Sequence, residues 1–160
     1  MAPREDPARF LAEAVALATR NARKQGGGPF AALVVRRGEV IGRGVNRVTP
    51  GNDPTAHAEI VAIRRACRRL GTFQLTGCTV YASAEPCPMC LGALYWARPK
   101  RVVFAATRQD AARAGFDDAF IYAEIARAPA RRRIPFVRLA LPGATDPFRA
   151  WLADPSRVRY

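Results

Sequence analysis

The sequence predicts an α/β fold: a three-layer α/β/α sandwich in which helices cover both faces of a mixed five-stranded sheet. Two observations carry this expectation. Apolar stripes at helical spacing alternate along the chain with short apolar runs bounded by Gly, Pro and Asn, which is the pattern of helices and strands taken in turn. At 160 residues with 49% hydrophobic content, the chain is long enough for one well-buried core and too short for two ordinary domains. One domain spanning residues 1–160 is expected, with no internal repeat, low-complexity tract or linker.

After a Pro-containing start, Phe10, Leu11, Ala14, Val15 and Ala18 recur at helical spacing up to about Lys24, giving an amphipathic first helix. It ends at Gly26-Gly27-Gly28-Pro29, a helix stop and not a phosphate loop, since neither glycine-rich nucleotide fingerprint is present. Phe30 to Val35 and Val40 to Asn46 read as a hairpin around Arg37-Gly38-Glu39. A loop from Val48 to Asn52 follows. Asp53 then offers an N-cap with Pro54 at the first helical position. In that second helix Ile60, Ile63, Cys67 and Leu70 form the expected buried stripe, and Arg64, Arg65, Arg68 and Arg69 face outward.

Cys78 to Ala82 is an apolar strand suited to a sheet interior. Cys87 sits where an N-cap belongs, with Pro88 at the first helical position and Met89 to Ala97 as the third helix. Arg101 to Ala106 is the next strand, so a strand, helix and strand in that order imply a parallel crossover. Asp110 to Ala126 is largely helical around Gly115-Phe116-Asp117-Asp118. A basic loop, Arg131 to Arg133, precedes a last expected strand, Phe136 to Leu141, and a short helix from Pro147 to Ala153.

The chemistry lies in two segments. Cys87 and Cys90, within Glu85-Pro86-Cys87-Pro88-Met89-Cys90, are spaced to close on one metal ion, and a tetrahedral zinc with an open position needs one more protein ligand. His57 is the only histidine in the chain, and it stands in Asp53-Pro54-Thr55-Ala56-His57-Ala58-Glu59. Both segments start helices, whose unpaired N–H groups favour a thiolate. Three ligands leave a position for water, whose pKa the metal lowers toward about 7. Glu59 is then the group that moves the water proton, and it should not itself ligate the metal. A lone histidine near a helix start is usually a cap, and a lone Cys-x-x-Cys is often a redox pair or half a structural site. Together they make the metal centre the better reading, because a structural site would want a fourth ligand and Cys67 and Cys78 fall on packed faces.

His-x-Glu followed by Pro-Cys-x-x-Cys is the established signature of zinc-dependent nucleobase deaminases. Asn52 to Glu59, Glu85 to Cys90, Tyr95 to Lys100 and Ala114 to Asp118 together make the chain resemble the cytidine-deaminase superfamily, and within it the small bacterial guanine deaminases. The likeness covers nearly the whole chain. Phe116-Asp117-Asp118, Ile121-Tyr122 and the terminal Tyr160 tilt it toward guanine, and the departure noticed is Ala84, where relatives often have cysteine.

The resemblance implies a cytidine-deaminase-like fold, one Zn²⁺ per chain on His57, Cys87 and Cys90, and hydrolysis of guanine at C2 to xanthine and ammonia. It further implies that Asn46 hydrogen-bonds the purine, that His57 packs on its ring, and that Asp118 meets the amino and ring N–H edge and assists proton transfer. Phe30, Trp96 and Phe116 would wall the pocket, although aromatics are core by default. Tyr160 would close it, with residues 147–160 as a lid or an element swapped within a homodimer.

Composition narrows the rest. The net charge of +13 invites a nucleic-acid partner. Almost all of it is arginine, though, with Lys24 and Lys100 the only lysines, and it is spread over helix faces and ends as on a solvated surface. Four cysteines and no apolar leader at the N-terminus point to a reducing compartment, the cytoplasm. No apolar run approaches the roughly 20 residues that cross a bilayer. The rival within the class is an adenosine deaminase acting on transfer RNA, or a deaminase of another nucleobase or nucleoside. The rival outside it is a noncatalytic, zinc-stabilised nucleic-acid-binding module, which would have no use for Glu59.

Overall fold

The computed structural model describes residues 6–160; residues 1–5, the start ahead of the first helix, lie outside the described residues. The chain divides into two compact units, Met1–Asp118 and Ala119–Tyr160.

The first unit holds the sheet. Helix α1 (Pro7–Arg23) starts at Asp6, whose carboxylate accepts from the N–H groups of Ala8 and Arg9 at 3.1 and 3.4 Å, with Pro7 opening the helix. Strands β1 (Ala31–Arg36) and β2 (Glu39–Val45) form the expected hairpin, followed by a single helical turn, α2 (Val48–Gly51), where a loop was expected. Then come α3 (Ala58–Leu70), β3 (Cys78–Ala84), α4 (Pro88–Ala97), β4 (Arg101–Ala106) and α5 (Arg108–Arg113).

The strand order is β2-β1-β3-β4. β1 runs antiparallel to β2 and β3, and β3 runs parallel to β4, so α4 is the connection of a parallel crossover. Every residue of β3 is buried, in keeping with its unbroken apolar run.

Because side chains alternate along a strand, neighbouring residues feed opposite layers. Leu33, Val35 and Tyr81 meet Phe10 and Ala14 of α1 on one face, while Ala32, Val34 and Val80 meet Ala58, Ala62 and Ala66 of α3 and Leu94 and Ala97 of α4 on the other. This is the predicted three-layer α/β/α sandwich.

Three expectations are corrected. Among the described residues the sheet has four strands, not five. Phe136 to Leu141 forms no strand, and Phe136, Val137, Leu139 and Leu141 are exposed. Its largely apolar run suits a strand, but a strand exists only where a neighbour takes its backbone hydrogen bonds.

The second helix starts later than Asp53-Pro54 suggests. Asp53 accepts instead from the N–H and hydroxyl of Thr55 at 2.8 and 2.7 Å, a local turn that competes with the helix, and His57 is the N-cap of α3.

The third correction is the buried stripe of α3. It consists of Ala58, Ala62 and Ala66, with Ile63, Cys67 and Leu70 only partly buried around it and Ile60 half-buried. The helix lies so near β2 that a Cβ on Gly44 would stand 2.0 Å from the Ala58 carbonyl oxygen, and one on Gly42 would stand 2.9 Å from the Ala66 Cβ. Only small residues fit at that seam.

The second unit contains α6 (Ala119–Ile125), a 3₁₀ turn at Pro129–Arg131 and α7 (Asp146–Ala153). Among the described residues no helix is long and apolar enough to cross a membrane.

Candidate active site

Two helix starts face each other. His57 caps α3 with extended backbone and no side-chain capping bond, and Cys87 does the same for α4, with Pro88 in its first turn. Their side chains are thus directed to each other and not spent on their own helices. Cys90 lies one turn into α4 and is fully buried, and Glu59 lies in the first turn of α3 and is 7% exposed.

Among the described residues, His57, Cys87 and Cys90 are the one trio of potential metal ligands, with donor atoms all within 4.8 Å of one another. The Nδ1 of His57 is 3.4 Å from the Cys87 Sγ and 3.6 Å from the Cys90 Sγ. Zinc bonds of about 2.3 Å to sulfur and 2.0–2.1 Å to nitrogen, set at the tetrahedral angle, would separate N and S by about 3.5–3.6 Å. The donor set and its spacing therefore fit zinc, and there is one such set among the described residues.

The three donors share their protons with one another and with Glu59. The Cys90 thiol and then the His57 ring hydrogen-bond Cys87 and pull its thiol far below the ordinary range, against the effect of burial. Cys90, coupled to Cys87, buried and beside the Glu59 carboxyl, is held well above it. The imidazole of His57 is raised by its bond to Cys87. Burial raises the Glu59 carboxyl above its usual value, and its Oε2 accepts from Cys90 at 3.4 Å. A carboxyl raised by burial in this way is a stronger proton acceptor than a free carboxylate, as a proton carrier at a reaction site requires.

A pocket of about 50 Å³ lined by Phe30, Asn46, His57, Glu59, Glu85, Cys87, Ala111, Phe116 and Asp118 reaches this cluster. It shares Phe30, Asn46, His57 and Phe116 with a wider hollow of about 530 Å³. The Phe30 and Phe116 rings meet edge to face, with centroids 4.9 Å apart and planes at 85°. Asp118 also faces the pocket, its carboxyl raised by burial and by the nearby Cys87. The structure thus brings together Phe30, Asn46, His57, Glu59, Cys87, Cys90, Phe116 and Asp118 from the residues the sequence singled out.

Trp96 is not brought to it: the side chain is 63% exposed on α4 and lines neither hollow. At about 100° per helical residue it lies some 240° around the helix from Cys90, which turns it away from the metal cluster. Tyr160 belongs to the second unit, where its ring meets Trp151 edge to face with centroids 6.5 Å apart.

Sequence reasoning missed Glu85. Its carboxylate accepts from the Arg108 N–H and Nε at 3.0 Å each and from Nη2 at 2.7 Å, and Arg108 holds its pKa below the usual range. That clamp ties the segment before Cys87 to the start of α5, the helix that carries Ala111 and leads to Phe116 and Asp118. The signal in the sequence was only its place beside the Pro-Cys pair. The glycine run was also under-read. Gly27 has φ +126°, and a Cβ there would stand 2.3 Å from the Asn46 carbonyl oxygen, so the run lies against a pocket residue as well as ending α1.

Residues 4–106 match the family described as the cytidine and deoxycytidylate deaminase zinc-binding region. The guanine deaminase of Bacillus subtilis (strain 168) is 55% identical over 151 residues, 94% of this chain and 97% of that protein. The X-ray structure of guanine deaminase from Bacillus subtilis superposes with a TM-score of 0.95 at 51% identity, over 97% of this chain and 99% of that one. A tRNA-specific adenosine deaminase of Aquifex aeolicus (strain VF5) is 46% identical over 97 residues, 61% of this chain and 64% of that protein.

Proposed function

The chain belongs to the cytidine and deoxycytidylate deaminase zinc-binding family, and from that membership we propose that it hydrolyses the free base guanine at C2, releasing xanthine and ammonia. The observation that carries the reading is the buried Glu59 carboxyl beside a His57, Cys87 and Cys90 trio of zinc-binding geometry. A structural zinc site needs no buried carboxyl at its open side, so the noncatalytic alternative leaves Glu59 unexplained. Guanine is preferred over an adenosine in transfer RNA because the likeness to a guanine deaminase spans 94% of the chain, while that to a tRNA-specific adenosine deaminase spans 61%.

Zinc held by His57, Cys87 and Cys90 supplies Lewis acidity that makes a water molecule acidic enough to react near neutral pH. The chain's own residues do the rest. Glu59 accepts a proton from the attacking water and delivers protons to the neighbouring ring nitrogen and the departing amine, so that C2 gains an oxygen as its bond to nitrogen breaks. General acid–base work of this kind is worth about 10²–10⁴ in rate. Phe30 and Phe116 offer apolar faces and edges to a flat ring. Asn46 offers an amide donor, and Asp118 accepts from the amino and ring N–H edge and assists in moving protons.

The same reading makes residues 1–160 one deaminase domain whose segment 147–160 closes over the base through Tyr160, a phenol-bearing aromatic suited to covering a ring while hydrogen-bonding its edge. It includes a homodimer in which that segment crosses between subunits, and a cytoplasmic setting, supported by free thiols at Cys67, Cys78, Cys87 and Cys90.

The test is ammonia release by the zinc-loaded protein from guanine, guanosine, adenine, cytosine and a transfer-RNA anticodon arm at low and high salt. Guanine should lead by a wide margin and its turnover should depend little on salt. Ammonia mainly from the RNA, collapsing as salt rises, would transfer the assignment to a tRNA deaminase.

A further inference from the structure

Asn21 is a polar residue in a buried place. It falls in the last turns of α1 on the stripe that buries Phe10, Ala14 and Ala18, and it is only 9% exposed. Its Nδ2 donates two hydrogen bonds, to the Gly28 carbonyl at 2.9 Å and to the Asn46 carbonyl at 3.0 Å. Its own carbonyl accepts from the Gly26 N–H at 2.9 Å. One side chain therefore joins the end of α1, the glycine turn and the residue that follows β2.

The far side of this network is the pocket. The Asn46 N–H donates to the Phe30 carbonyl at 3.0 Å, so with Asn21 on its carbonyl the Asn46 backbone is held on both sides. Its side-chain Oδ1 accepts from two backbone N–H groups, Gly28 at 3.1 Å and Val48 at 3.2 Å. An amide oxygen has two lone pairs, and both are committed. Turning the amide over would set its NH₂ against two N–H donors, so Oδ1 stays where it is and Nδ2 is left for the pocket that Asn46 lines. The site thus offers a base a donor at this position and never an acceptor. The Gly28 donor that enforces this belongs to the turn that Asn21 pins.

We propose that Asn21 is a positioning residue for base recognition, acting through Gly28 and the Asn46 backbone to fix the Asn46 amide as a donor into the pocket. The proposal rests on the reading of the site as a base deaminase. It differs from a plain helix-to-loop staple in one respect: the loss of Asn21 must reach substrate binding by way of Asn46.

A double-mutant cycle separates the two. The wild type, Asn21→Ala, Asn46→Ala and the double variant are loaded with zinc and assayed on guanine, or on whichever nucleobase the wild type prefers. A failed guanine assignment then shows in the wild type alone while the coupling is still read. Asn21→Ala should raise KM roughly 3- to 10-fold, the scale of one misaligned hydrogen bond, with kcat within about twofold and zinc content unchanged. In the Asn46→Ala background the same substitution should leave KM unchanged.

Gly27→Ala disturbs the network from its other side, since its Cβ would press on the Asn46 carbonyl. It should show the same dependence on Asn46 and serves if Asn21→Ala does not fold. An equal fold-change in KM in both backgrounds, or a fall in melting temperature with KM untouched, would overturn the proposal.

Discussion

The metal-holding side of the pocket and its base-facing side are built in different ways. His57, Glu59, Cys87 and Cys90 come from the first turns of just two helices, α3 and α4, whose capping positions aim the side chains directly. The base-facing side is assembled from distant pieces. Asn46 follows β2, Phe30 precedes β1, and Phe116 and Asp118 follow α5, held in register by the Asn21 bridge and the Glu85–Arg108 clamp. Chemistry that must stay constant thus rests on local helix geometry, and recognition rests on long-range loop contacts. The first should fail sharply and the second by degrees.

The largest effect is expected where the metal side loses a ligand. Cys90→Ala should remove zinc and reduce ammonia release to background, because two remaining ligands cannot close the site. Elemental analysis of the purified variant checks it, and a full zinc complement with normal turnover would refute the ligand assignment.

Next, Glu59→Gln should keep one zinc per chain and the fold while lowering kcat at least about a hundredfold, since proton transfer is what it removes. Near-normal turnover would move the proton-transfer role to Asp118.

On the base-facing side, Asn46→Ala should raise KM on the order of tenfold with zinc retained, a loss of one substrate bond plus two unpaired amides at Gly28 and Val48. Steady-state kinetics beside zinc analysis would show whether the two sides separate as described; loss of zinc in this variant would mean that they do not.

The smallest effect is one of pH. Asp118 has its folded pKa raised above the ordinary 3.8 by burial, so between the two values the folded state binds more protons than the unfolded. Wild-type stability is therefore lost as pH rises from about 3.8 through the raised value. Asp118→Asn escapes that loss, and its melting temperature should gain on the wild type across the window and then run parallel above it. A constant difference at every pH would show the carboxyl to be unperturbed.

The same division explains what the sequence made legible. Cys87 before Pro88 is a local signal, and it caps α4 as expected; His57 and Glu59 reach the same cluster, with His57 as the cap of α3 and not a residue inside a helix begun at Asp53. Asp53-Pro54 was also local, but Thr55 captured the Asp53 carboxylate and helix α3 began later. Phe136 to Leu141 carried a strand pattern without a partner strand to pair with, and pairing is not written in a segment's own residues. Trp96 was close to Cys90 along the chain and on another side of the helix. Asn21 carries a signal in the sequence, a polar side chain on the Phe10, Ala14 and Ala18 stripe. What that side chain reaches, the carbonyl of Asn46, becomes apparent only when the end of α1 and the end of β2 are brought together.

The metal trio, Glu59 and the base-facing pocket converge on zinc-dependent conversion of guanine to xanthine at one site per chain. Its most direct test is to strip the metal with a chelator, add zinc back in steps and follow xanthine formation from guanine at each step. The stripped protein should show no turnover, and activity should rise linearly and stop at about one zinc per chain, the stoichiometry of a single three-ligand set. Undiminished turnover after stripping, or a fully zinc-loaded protein that forms no xanthine, would contradict it.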